Sequence, residues 1–149
     1  MTVPDTSGQL AEQLLRLTRR LNRAQKRYLD PVGITPAQSR LLRSVAHCEE
    51  PPRMADLAER LEVVPRAVTT LVDALEAYGA VRRVPDPSNR RVIRIELTER
   101  GRETLRAMRE ARRAAVEEIL SPLTAEQREL LGGLLDELMR GQLPRHPPR

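Results

Sequence analysis

Two histidines, His47 and His146, and one cysteine, Cys48, are the groups in this chain best suited to nucleophilic or metal chemistry. A thiolate–imidazole pair needs convergent side chains, but consecutive residues on a helix do not face each other. His47 and Cys48 therefore do not read as a catalytic pair. Asp56, Glu59, Glu62 and Asp73 fall on what read as exposed helical faces and are expected to be solvated charges. A single cysteine allows no intrachain disulfide, and a structural zinc site of four cysteines, or of two cysteines and two histidines, cannot be assembled. The expectation is a protein that is not an enzyme and uses no metal or cofactor. For Cys48 the reading is an inert, buried thiol at a helix end; a redox sensor is the competing role.

The remaining chemistry is electrostatic. The 149 residues carry a formal net charge of +5, and Lys26 is the only lysine. Nearly all the positive charge is thus guanidinium, which suits bidentate contacts to phosphate and to guanine. Such a balance attracts polyanions, although solubility or codon bias would account for the same composition.

The elements that must position these arginines follow from periodicity. Trp and Phe are absent, and Tyr28 and Tyr78 are the only tyrosines, so the core must be aliphatic and propensity favours helices. Residues 1–7 read as a loose arm. Leu10, Leu14, Leu17, Leu21, Ala24 and Tyr28 form one helical stripe, which stops near Asp30-Pro31. Thr35-Pro36-Ala37-Gln38 is a capping box with proline in the first turn, opening a helix with Leu41, Leu42, Val45 and Ala46. A short helix follows, with Met54, Leu57, Ala58 and Leu61 inward. After a break at 62–64, Pro65 starts a helix with Val68, Leu71, Val72 and Leu75 inward, and Gly79 is placed to end it in a left-handed conformation. The period then changes to two. Val81–Val84 and Ile93, Ile95 and Leu97 read as the arms of a hairpin around a basic tip. Thr98 caps a long helix through Leu120. A second capping box at Thr124 opens a last helix bearing Leu130, Leu134 and Leu138. Gly132-Gly133 weakens that helix unless another helix approaches there. Residues 141–149, rich in proline and basic, read as a disordered tail.

Residues 53–97 thus spell a helix-turn-helix followed by a wing. A helix that enters the major groove needs one apolar side to hold it and one small or polar side to meet the bases. Residues 65–78 divide in that way. Pro65 pre-sets the first turn, Ala67 permits close approach, Arg66 can reach a guanine or a phosphate, and Thr69 and Thr70 offer hydroxyls and methyls. Arg90 and Arg91 at the wing tip suit a narrow minor groove. Arg53, Arg83 and Asn89 complete the expected DNA-facing set.

MADLAERL (54–61), VTTLVDALEAYGAVRRV (68–84) and, above all, DPSNRRVIRIELTERG (86–101) resemble the MarR family of bacterial transcription regulators. The resemblance runs from the first helix to the last. It implies a mainly α, winged helix-turn-helix protein with a small β-hairpin, in a single domain over 1–149. Residues 35–97 would be its DNA-binding part. Residues 8–30 and 98–140 would be interlocking dimerisation helices, with Leu10, Leu14, Leu17, Leu21, Ile119, Leu123, Leu130, Leu134 and Leu138 at the interface. It also implies a homodimer on a pseudo-palindromic operator of double-stranded DNA. Such proteins usually repress and are often released by a small ligand, expected here to be anionic or phenolic. Arg91 would make the minor-groove contact. The pocket would draw on the first, second and long helices; its lining is not legible. Two positions depart from the family pattern: Asn89 replaces a usual Asp, and Val64 stands where a Ser or Thr would cap the recognition helix. They leave open a protein-binding module that has lost DNA binding, while the basic tail and first helix leave open a low-specificity architectural DNA-binding protein. No apolar run reaches a membrane span and no signal peptide is legible, so a cytoplasmic protein is expected.

Overall fold

The computed structural model describes residues 6–140. The chain runs α1 (Thr6–Leu29), a 3-10 turn (Asp30–Val32), α2 (Pro36–His47), α3 (Met54–Leu61), α4 (Pro65–Tyr78), β1 (Val81–Pro85), β2 (Ile93–Leu97), α5 (Glu99–Leu120) and α6 (Ala125–Arg140). It is a mainly helical winged helix-turn-helix whose two strands pair antiparallel, with Val81 opposite Leu97 and Pro85 opposite Ile93. Helix α1 begins at Thr6, so Thr6 and Ser7 belong to the helix and not to a loose arm. The expected disordered tail, 141–149, lies outside the described residues, as does His146.

Local signals set the boundaries. Thr35 accepts from the Gln38 backbone while the Gln38 side chain accepts from Thr35 N, and the same reciprocal pair joins Thr124 and Gln127. Gly79 closes α4 at φ 92°, a conformation that penalises any side chain. Glu62 ends α3 at φ 53°. It therefore sits in the turn of the helix-turn-helix and not on a helical face, and it bears the modest strain of a left-handed non-glycine residue.

The core lies among α2, α3, α4, the hairpin and the first half of α5. Leu41, Leu42, Leu57, Val68, Val72, Leu75 and Ile95 are fully buried there. The helix-turn-helix is thus clamped from behind by α2 and from the side by the hairpin. The entry to α5 is tight. Thr98 N donates to Ala80 O and Thr98 Oγ1 donates to Gly79 O, while the same oxygen accepts from Gly101 N. A Cβ at Gly101 would lie 2.1 Å from Ala80 O, so only glycine fits. That contact gives a physical reason for the glycine in the LTERG segment.

The outer helices behave differently. Helix α1 packs along α5, with Ala24 of the one and Ala111 and Ala115 of the other buried, and Arg27 pairs with Glu118. Its N-terminal half leaves Leu10, Leu14, Leu15 and Leu17 exposed, and α6 buries none of its residues. Arg128 pins the start of α6 to α5 by a forked pair with Glu117 and a bond to Leu120 O. The α1 stripe therefore divides: its C-terminal end serves the chain's own core, and its N-terminal end has no cover among the described residues.

Candidate nucleic-acid interface

Helix α4 is held by Val68, Val72 and Leu75, all fully buried. Its opposite side presents Pro65, Arg66, Thr69, Thr70 and Asp73 to solvent, with Ala67 half-buried between the faces. The threonine hydroxyls are not idle: Thr69 Oγ1 donates to Pro65 O and Thr70 Oγ1 to Arg66 O, each at 3.2 Å. Each keeps its acceptor lone pairs. Val64 occupies the N-cap position with no side-chain cap bond and is 67% exposed.

The wing is built on a buried carboxylate. Asp86, 2% exposed, accepts from Ser88 N at 2.8 Å, from Ser88 Oγ at 2.7 Å and from Asn89 N at 3.3 Å. Its other oxygen accepts from Arg94 Nε at 2.6 Å. Hydrogen bonds from Ser88, then from Arg94, hold this carboxyl well below the usual carboxylate range. Arg94 also donates to Pro51 O, and Ile95 N donates to Pro52 O, so the segment before α3 lies along the outer edge of β2. An isolated bridge joins Arg53 to Arg94 in the same place. The departure at Asn89 is thereby resolved structurally: its Oδ1 accepts from Arg91 N at 3.2 Å, while the charge that organises the loop is supplied by Asp86.

Neither Asp86 nor Arg94 stands out from the sequence as a wing-organising residue. The available signal was an Asp with Ser two residues on, the pattern of a side chain that closes its own turn. Nothing local marks Arg94 as its partner, since the strand register decides that.

The arginines of the helix-turn-helix and its wing fall into two groups. Arg82 pairs across the hairpin with Glu96. Arg83, expected on the DNA face, turns instead to α4, where Asp73 at 2.5 Å and Glu76 at 2.7 Å occupy its guanidinium. The hydrogen bond to Asp73, opposed in part by burial, makes it hold its proton more tightly than usual. The physical reason is register: position 83 lies beside the end of α4, where two carboxylates one turn apart converge. Arg53, Arg66, Arg90 and Arg91, by contrast, are exposed and make no salt bridge among the described residues. The structure thus arrays unneutralised cations before α3, at the start of α4 and at the wing tip.

Elsewhere the candidate groups do not converge. Cys48 Sγ bonds to Ser44 O and is half-buried, not buried as expected, while His47 is exposed. Asp56 caps α3 by accepting from Arg53 N. Among the described residues no group of three His, Cys, Asp or Glu is placed to hold a metal, and no helix is long and apolar enough to cross a membrane.

A cavity of about 660 Å³ lies where α1, α2 and α5 meet. Arg23, Lys26, Arg40, Arg43 and Arg112 line it, with Leu29 and Met108 as apolar walls. Arg43 Nε is buried with no hydrogen-bond partner. Burial, then the charges of Arg112 and Arg40, make that guanidinium less basic than usual.

The family model for MarR matches residues 34–93. The transcriptional repressor MdtR of Bacillus subtilis is 34% identical over 99 residues, covering 66% of this chain and 63% of that protein, which is under two thirds of its length. The transcriptional repressor Rv2887 of Mycobacterium tuberculosis is 33% identical over 112 residues, covering 74% of this chain and 78% of that protein. Its structure in complex with salicylic acid superposes with a TM-score of 0.69, at 31% identity, over 87% of this chain and 95% of that one. The YusO protein of B. subtilis superposes with a TM-score of 0.82, at 26% identity, over 95% of this chain and all of its own.

Proposed function

The chain belongs to the MarR family, and from that premise we propose that it is a homodimeric transcription regulator that binds duplex DNA sequence-specifically and represses. The observation that carries this is the division among the arginines of the wing and its neighbouring helices. Arg82, Arg83 and Arg94 in the strands are paired with carboxylates, whereas Arg53, Arg66, Arg90 and Arg91 stand exposed without counter-charge on the surface formed by the helix-turn-helix and its wing. Helix α4 enters the major groove with Pro65, Arg66, Ala67, Thr69 and Thr70 toward the bases. Arg91, steadied by Asn89, enters the minor groove, and Arg90 and Arg53 meet phosphates. Arg83 does not touch DNA in this reading; it fixes the angle between wing and helix.

The exposed leucines of α1 (Leu10, Leu14, Leu17) and α6 (Leu130, Leu134, Leu138) form the dimer interface, with the half-buried Leu21, Ile119 and Leu123 behind them. So large an apolar surface is unusual on a monomer. A close approach of helices at Gly132 and Gly133 is open, since nothing lies within 4 Å of either Cβ position in the single chain. The cavity at α1, α2 and α5 takes a small anionic effector, whose charge would satisfy Arg43 Nε. It carries no aromatic side chain, which disfavours a ligand bound by stacking. Catalysis has no place in this account.

Selection of duplexes from a random pool with the purified protein tests the reading. The expected result is an enriched inverted repeat whose half-site centres lie about 34 Å apart, one turn of DNA. Enrichment of no sequence, with tight binding to all, would replace it by an architectural role. No binding to any duplex would point to a protein-binding module.

A further inference from the structure

Resting on the DNA-binding reading above, we propose that Val64 is a specificity-determining residue that reads a thymine by its 5-methyl group in each half-site. In a helix-turn-helix the N-terminal residues of the second helix meet the base edges. Here that end is apolar but for Arg66. Val64 stands 67% exposed immediately before α4 and makes no cap bond through its side chain. Pro65 has no N–H to give, and Ala67 offers only a methyl. Thr69 and Thr70 have their hydroxyl hydrogens engaged by Pro65 O and Arg66 O, so within this face Arg66 is the one side chain with uncommitted donors. Valine at the cap position forfeits about 1 kcal/mol of capping and leaves a branched hydrocarbon in water at the point of entry. The only apolar feature that a base pair shows in the major groove is the thymine methyl, and burying that methyl against Val64 covers both.

The test uses the duplex recovered by selection, with each thymine replaced in turn by deoxyuridine. That change removes one methyl and keeps every hydrogen bond of the base pair. At one thymine in each half-site the affinity should fall roughly fourfold, the value of one buried methyl-sized group, and substitution in both half-sites should give about the square of that. Val64→Ala should leave the affinity for the uridine duplex nearly unchanged and abolish the preference for thymine. The Val64→Ala protein should melt as the wild type does, because Val64 contributes nothing to the core. If no thymine is sensitive, or if Val64→Ala retains the full preference, the proposal fails while specific binding stands. If no duplex is bound specifically, both the proposal and the function beneath it fail.

Discussion

Arg94 donates from Nε to Asp86 across 2.6 Å while its Nη1 holds the Pro51 carbonyl at 2.7 Å. One guanidinium thus ties the wing loop, strand β2 and the approach to α3 into a single unit. The carboxylate at its centre is buried and accepts from Ser88 and Asn89 as well, so removing its charge strands several donors.

The pH dependence follows from that carboxylate. Its ordinary value is 3.8, and folding holds it lower, so the folded state binds fewer protons than the unfolded one. The contribution of Asp86 is complete above about pH 5 and is lost as the pH falls further. Asp86→Asn should lower the Tm at pH 7, and the gap between variant and wild type should narrow steadily below about pH 4. Thermal melts by circular dichroism across that range decide the matter; a gap constant with pH would show that the charge is not what matters.

Arg83 separates positioning from contact. Its pairs with Asp73 and Glu76 are partly exposed and worth about 1 kcal/mol or less to folding. Arg83→Met should therefore leave the Tm nearly unchanged and weaken DNA binding. The loss should appear in a footprint as weakened protection in the minor groove, with the major-groove pattern retained. Equal loss in both grooves would argue that Arg83 does not set the wing.

Gly101 is a stricter case. Alanine there would place Cβ against the Ala80 carbonyl, and neither backbone can yield cheaply. Gly101→Ala should cost about 3 kcal/mol, measured by urea unfolding. A loss below about 1 kcal/mol would mean that the α4–β1 corner relaxes freely.

The outer helices carry the dimer prediction. Leu134→Glu together with Leu138→Glu places charge on residues exposed in the single chain but buried in the proposed interface. Sedimentation should show a monomer with its helix content largely kept, and operator binding should fall steeply as the two half-sites cease to be bound together. A variant that remains dimeric would move the interface away from α6.

Much of this molecule is legible in its sequence because the signals are local. The capping boxes at Thr35 and Thr124, the stop at Gly79 and the switch from helical to alternating periodicity after it each need only a few neighbouring residues. The long helix is legible from Thr98 for the same reason. What escapes depends on register and approach. Asp86 and Arg94 are eight residues apart and meet only because the hairpin folds back; Arg83 meets Asp73 only when β1 lies beside α4. The start of α1 at Thr6 escapes because the apolar stripe that marks this helix begins only at Leu10. The cationic lining of the cavity draws on three helices distant in sequence, so its residues could be named only from the fold.

The central claim, a specific DNA reader whose wing arginine makes contact, is tested most directly by a salt titration of affinity. The measurement compares wild type with Arg91→Ala on the selected duplex and on a scrambled duplex of equal length. The account predicts that wild type prefers the selected duplex by about a thousandfold or more. It predicts that Arg91→Ala binds it more weakly, with its log–log salt slope shallower by about one and its Tm unchanged. Equal affinity of wild type for both duplexes, or a variant that binds with wild-type affinity and slope, would contradict it.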